Sequence, residues 1–150
     1  MILGIDPGPF ESAYCLWDGR AILAKGILAS NEVNFLPMQN GTVVACEHLQ
    51  CFGMAVGKEV FETAYFIGEL RGVCRALGIT FLPIYRSEIK MFFCNSMRAK
   101  DANIRQALID RLGGPGTKKK PGPTYGVKGD IWSALAIAVF TCDIKREAKK

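Results

Sequence analysis

Three acidic residues stand where apolar runs begin or end. Asp6 closes the run Met1-Ile2-Leu3-Gly4-Ile5, Glu47 closes Thr42-Val43-Val44-Ala45-Cys46, and Asp130 opens the apolar stretch from Ile131 to about Cys142. A carboxylate at the edge of a buried run is costly unless it is paired, hydrogen-bonded or metal-bound. Each acid alone has an ordinary reading: Asp6 as a turn cap, Glu47 as the partner of a lysine, Asp130 as a helix N-cap. Together they suggest a carboxylate cluster, and clustered carboxylates repel unless a cation joins them. Oxygen-only ligation points to magnesium, with manganese as a substitute. Zinc is disfavoured, because no Cys-x-x-Cys pair occurs and His48 is the single histidine. His48 adjoins Glu47 and reads as a loop or core residue rather than a base. The six cysteines, Cys15, Cys46, Cys51, Cys74, Cys94 and Cys142, read as reduced thiols in a cytosol-like compartment.

The elements that position these acids follow from pattern. Residues 1–6 read as a buried strand broken by Pro7-Gly8-Pro9. Residues 12–17 and 21–28 flank Asp18-Gly19-Arg20, a hairpin signal, so the first three strands form a meander. The strand at 42–46 precedes a helix over 58–77 and a short strand over 79–83. Ser87 can cap a helix from Glu88 to about Cys94, and Asp101 can cap another that Gly113-Gly114 stops. Residues 113–129, rich in Gly, Pro and Lys, read as a mobile basic loop, and residues 145–150 as a fraying charged tail. The order predicts one α/β domain over 1–150: a mixed central sheet, antiparallel meander then parallel strands, flanked by helices. In such sheets function gathers at the carboxyl ends of strands, where Asp6 and Glu47 fall.

Charge placement narrows the ligand. Residues 86–120 hold nine Lys and Arg against three acids, a net of +6, while the rest of the chain nets −1. Clustered this way, the basic residues are an electrostatic footprint for a polyanion, with Lys118, Lys119 and Lys120 on the loop as phosphate contacts. No apolar run approaches the ~20 residues of a membrane helix. The N-terminus lacks the basic region of a signal peptide.

Ile2-Leu3-Gly4-Ile5-Asp6-Pro7-Gly8 resembles the opening strand of RuvC-type Holliday junction resolvases. Val43-Val44-Ala45-Cys46-Glu47 resembles their second acidic strand, and Asp130-Ile131-Trp132-Ser133-Ala134-Leu135-Ala136-Ile137-Ala138 their last helix. The resemblance implies an RNase H-like fold, a homodimer and two divalent metals per site, Mg2+ with Mn2+ able to substitute. It also implies symmetric nicking of a four-way or other branched DNA junction. Asp6 would bridge both metals, with Glu47 and Asp130 as further ligands; the metals would activate a water and stabilise the leaving oxygen. Lys90 and Lys100 fall roughly on basic residues that the family uses on DNA, and Phe52 near an aromatic that stacks on junction bases. Phe61, Tyr65 and Phe66 offer surface for an isologous contact between subunits. One departure stands out: Ser133 occupies the second position of a family D-x-x-D pattern, and Asp101 or Lys128 is a candidate to stand nearby instead. No membrane or nucleotide cofactor is implied. The alternatives are a catalytically silent junction binder, an RNase H-fold nuclease acting on RNA, and an actin-like ATP-binding domain. The last needs two related domains and a second Asp-x-Gly element that this chain lacks.

Overall fold

In a computed structural model, the described residues are 1–36, 38, 41–51, 53 and 55–148, the side chain of Phe35 excepted. Phe52 lies outside them. Strands β1 (Ile2–Asp6), β2 (Glu11–Trp17) and β3 (Ile22–Ala29) form the antiparallel meander. A 3-10 turn over Ser30–Phe35, which the sequence pattern did not suggest, leads toward β4 (Val43–Glu47). Helix α1 (Lys58–Ala76) returns the chain to β5 (Thr80–Ile84), and α2 (Arg86–Cys94), α3 (Asp101–Leu112) and α4 (Ile131–Glu147) complete the order. The sheet runs β3-β2-β1-β4-β5, with β4 parallel to both β1 and β5. Pro83 is tolerated because β5 is an edge strand.

Strand side chains alternate between two cores. Ile2, Val43, Ala45 and Ile84 pack with α4 and with Ile89 of α2 and Leu108 of α3. Leu3, Ile5, Val44 and Cys46 face the other way, onto Phe66, Ile67, Leu70 and Cys74 of α1. Phe66 therefore belongs to the core at 5% exposure, and of the three aromatics expected on a free surface only Phe61 and Tyr65 are exposed. Helix α4 is buried almost all round from Ile131 to Thr141, with Ser133 the partly exposed break in that run. Among the described residues no helix is long and apolar enough to cross a membrane.

Several boundaries moved for identifiable reasons. Helix α2 begins at Arg86 rather than Glu88, and its cap position is Tyr85, whose N–H donates to Glu88 Oε2 at 2.8 Å. Lys100, not Asp101, sits at the α3 cap, its N–H donating to Asn103 Oδ1 at 2.9 Å. Both are reach-back bonds from the third helical position, which do not require a Ser or Asp at the cap itself. The segment 113–129 carries a tight turn of its own. Thr117 and Lys120 exchange backbone hydrogen bonds of 3.0 and 3.1 Å, Gly116 bridges Pro121, and Thr124 Oγ1 donates to the Gly113 carbonyl at 2.9 Å. The charged tail is helical through Glu147, and Arg146 donates to the Gly19 carbonyl at 3.1 Å.

The contact that sets the level of α4 is at Gly4. A Cβ there would collide with the Ala134 carbonyl oxygen and stand within 2.9 Å of the Ala138 Cβ, both in α4. Only a residue without a side chain lets the helix lie this close to β1. Gly4→Ala is expected to lower stability by about 1–3 kcal/mol or more, the overpacking range. Gly68→Ala, in open space on the exposed side of α1, should instead raise it by about 1 kcal/mol. Urea unfolding of both variants checks the pair; equal effects would mean that the close approach is not a constraint.

Candidate active site

Strand register brings Asp6 and Glu47 side by side. Ile5 pairs with Cys46 in the parallel β1–β4 ladder, so the next residues, Asp6 and Glu47, stand level at the carboxyl ends of neighbouring strands. Asp6 shares parity with Ile2, and Glu47 with Val43 and Ala45, so both carboxylates turn to the face covered by α4. Glu47 is level with Ile84 of β5, and Arg86 follows two residues later at the start of α2. Asp130 and Ser133 arrive from the first turn of α4. Asp130 does occupy the N-cap position, but its side chain makes no cap bond, which leaves the carboxylate free for other partners.

The turn after Asp6 is held by a small polar network. The Gly8 N–H donates to Ser12 Oγ at 3.2 Å, Ser30 Oγ donates to the Gly8 carbonyl at 3.0 Å, and the two hydroxyls lie 2.8 Å apart. Ser12 and Ser30 are both buried, so their hydroxyls need such partners. Neither was singled out from sequence, because isolated serines in a strand and a turn carry no pattern.

Asp6 and Glu47 are half-buried, while Asp130 and Asp101 are exposed. Burial pushes the Asp6 carboxyl up to about 7; Glu47 and Asp130 add to the rise, while Arg86 and the Ser133 hydroxyl oppose it. Burial also raises the Glu47 pKa, against the pull of Arg86 and, more weakly, Lys90. Arg86 is the cation inside the group. Its Nη1 donates to Glu47 Oε2 at 3.2 Å and to Ser133 Oγ at 3.4 Å, and its Nη2 donates to Asp101 Oδ1. Burial opposes the Arg86 charge, but Glu47 and Asp101 outweigh it and raise its pKa. Arg86 was counted from sequence only as part of the basic stretch. The available signal was its place just past a strand whose end is level with Glu47.

The other expected site residues distribute unevenly. Lys90 lies on α2 close enough to affect Glu47, and Lys100 is exposed at the start of α3, next to Asp101. Lys118, Lys119 and Lys120 are exposed on the hairpin turn. Lys128 is exposed two residues before Asp130. His48 is exposed and packs edge-on against Tyr85, 5.4 Å between ring centres. A groove of about 510 Å³ opens beside the acids, lined by Arg86, Asp101, Arg105, Asp130, Trp132 and Ser133. In it the Arg105 guanidinium lies 5.1 Å from the centre of the Trp132 ring, at cation–π distance.

The donor chemistry fits a hard divalent ion in part. A cation would offset both the burial and the mutual repulsion that raise Asp6, and oxygen donors suit magnesium or manganese. Yet among the described residues no three Asp, Glu, His or Cys side chains stand together at ligand spacing. Glu47 is engaged by Arg86, whereas Asp6 and Asp130 form no ion pair among the described residues, and Asp130 is near enough to raise the Asp6 pKa.

An antiparallel meander continued by two parallel strands, with helices on both faces and acids at the carboxyl ends of the central strands, defines the RNase H-like class of fold. Within that class the chain has the fold of RuvC. It matches the structure of Thermus thermophilus RuvC with a TM-score of 0.67 and 16% identity, covering 98% of this chain and 96% of that one. It matches T. thermophilus RuvC in complex with a Holliday junction substrate with a TM-score of 0.68 and 16% identity, covering 98% and 95%. No protein-family model matches the chain, and no curated protein matches it in sequence.

The raised Asp6 pKa has a measurable consequence. Between the ordinary value of 3.8 and about 7, the folded protein keeps a proton that the unfolded chain has released. Stability from this group is therefore lost as pH rises through that window. In EDTA, Asp6→Asn is expected to stabilise the protein, and by about 2 kcal/mol more at pH 8 than at pH 5. Denaturant titrations at the two pH values test this; a gain that shrinks toward pH 8 would contradict the assigned environment.

Proposed function

We propose that the protein is a magnesium-dependent, structure-selective endonuclease that nicks four-way or other branched DNA junctions symmetrically. The observation that carries this reading is that Asp6 and Glu47 end neighbouring central strands of a RuvC fold, with Asp130, from a distant part of the chain, near enough to raise the Asp6 pKa. The RuvC structure bound to a Holliday junction substrate adds a precedent for the ligand. Asp6 and Asp130 would hold Mg2+, with Mn2+ able to substitute and Glu47 as the third acid of the group. A bound divalent ion supplies Lewis-acid stabilisation of charge on the scissile phosphate. The chain's own cations do the rest: Lys90 and Lys100 flank the acids, the lysines of the hairpin extend the positive surface, and all five bind phosphate oxygens rather than bases. The protein acts as a homodimer, since a junction of approximate two-fold symmetry needs two equivalent sites, and Phe61 and Tyr65 are exposed on α1 for that contact. It works in the cytoplasm, on nucleoid DNA or that of an infecting phage.

A second reading, a junction-binding protein with weakened catalysis, is favoured by Ser133 and by the engagement of Glu47 with Arg86. Labelled four-way junction, duplex and RNA–DNA hybrid, each incubated with and without Mg2+, separate the readings. Paired nicks in the junction alone support resolution; binding without nicks supports the second; cleavage of the hybrid would replace both. Asp6→Asn is expected to abolish cleavage while junction binding persists, and Glu47→Gln and Asp130→Asn to behave alike. Cleavage by Asp6→Asn at the wild-type rate would rule out this site.

The basic surface is tested separately. Lys100→Ala and the triple replacement of Lys118, Lys119 and Lys120 by Ala should weaken binding uniformly across junction sequences. Each lost phosphate contact should reduce the slope of log affinity against log salt by about one unit. Unchanged affinity and slope in both variants would place the DNA elsewhere.

A further inference from the structure

We propose that Arg86 is a positioning residue that serves as the built-in second cation of the site, so that each subunit takes one divalent ion, on Asp6 and Asp130, rather than two. The proposal rests on the metal-site reading above. Arg86 leaves β5 at the level of Glu47 and turns its guanidinium into the acids. Nη1 lies 3.2 Å from Glu47 Oε2 and 3.4 Å from Ser133 Oγ, and Nη2 holds Asp101. The planar fork can satisfy both carboxylates at once, which a compact ammonium cannot.

Charge and geometry agree on the consequence. Glu47 and Asp101 hold this guanidinium, which also acts on Asp6, and Asp130 acts on Asp6 in turn, so four acids make up the group. One divalent ion with Arg86, and with Lys90, which also acts on Glu47, balances the four acids. A second ion on Glu47 would make the group positive and bring a metal against the guanidinium that shares the same carboxylate. Ser133 does not help such an ion, because its hydroxyl carries no charge and already accepts from Arg86. Magnesium keeps much of its water and is commonly bound by one or two carboxylates, so Asp6 and Asp130 suffice for a single ion. Asp101, 76% exposed, would add little as an isolated ion pair. Its use here is to hold the outer side of the guanidinium while Glu47 and Ser133 hold the inner side.

The test counts manganese on the full-length protein without DNA. Mn2+ titrations followed by electron paramagnetic resonance should give one ion per chain in the wild type, with no sign of coupling between neighbouring ions. Arg86→Lys, which keeps the charge, should also bind one. Ser133→Asp should bind one, since Arg86 would pair with the new carboxylate. The Arg86→Gln/Ser133→Asp double variant should bind two, with a coupled spectrum. Two ions in the wild type, or in Ser133→Asp with Arg86 intact, would overturn the proposal while leaving the nuclease reading in place. A single ion in the double variant would also overturn it. A wild type that binds no Mn2+ in an Asp6-dependent manner would sink both the proposal and the metal-site reading. If the double variant does not fold, the counts for the wild type and Ser133→Asp still decide.

Discussion

Helix α4 can lie against β1 only because residue 4 has no side chain. The Ala134 carbonyl and the backbone and methyl of Ala138 fill the space that a Cβ at Gly4 would need. Interiors packed at crystal density transmit such a contact without slack. The closeness of one glycine to one helix turn thereby fixes the height of Asp130 and Ser133 above the sheet edge where Asp6 ends. The burial of α4 on nearly every side follows from the same placement, with β1 and β2 beneath it and α2 and α3 across it.

The fold that seats α4 so firmly also creates an electrostatic problem. Parallel strands β1 and β4 finish at the same level on acids of the same facing, and the N-terminal turn of α4 contributes another. Burial and mutual repulsion hold the Asp6 carboxyl near neutrality in its pKa. A globular core has no use for this arrangement, and apolar residues at strand ends would be more stable. Its presence is the kind of local conflict that marks a functional site. Arg86 resolves part of it internally, taking Glu47 and Asp101. The residual negative charge at Asp6 and Asp130 is what a bound cation would neutralise.

The elements were largely readable from local pattern. The five strands, the long helix after β4 and the apolar last helix come out within about two residues at most ends. Periodicity and Asp-Gly or Gly-Gly punctuation report on local backbone choices, and those are written in consecutive residues. The boundaries that shifted did so through bonds between a cap and a residue three positions on, as at Tyr85 and Glu88. Phe66 was misplaced because helical spacing alone does not say which aromatic turns inward when α1 carries Phe61, Tyr65 and Phe66 together. The loop of 113–129 looked featureless by composition, yet its Thr117–Lys120 turn closes through backbone bonds that composition does not record.

By itself the sequence determined that Asp6, Glu47 and Asp130 would stand at the margins of apolar elements, and that its positive charge would concentrate in residues 86–120. Residue type and neighbouring residues suffice for both. Tertiary structure alone decided which basic residue enters the acids. Of the nine Lys and Arg in that stretch, Arg86 is the one whose guanidinium reaches Glu47, Asp101 and Ser133, from positions 39, 15 and 47 residues away along the chain. The physical reason is that ion pairing depends on distance through space. The register of β4 with β5 and the seat of α4 on Gly4 set those distances, and neither is a property of any single stretch of sequence.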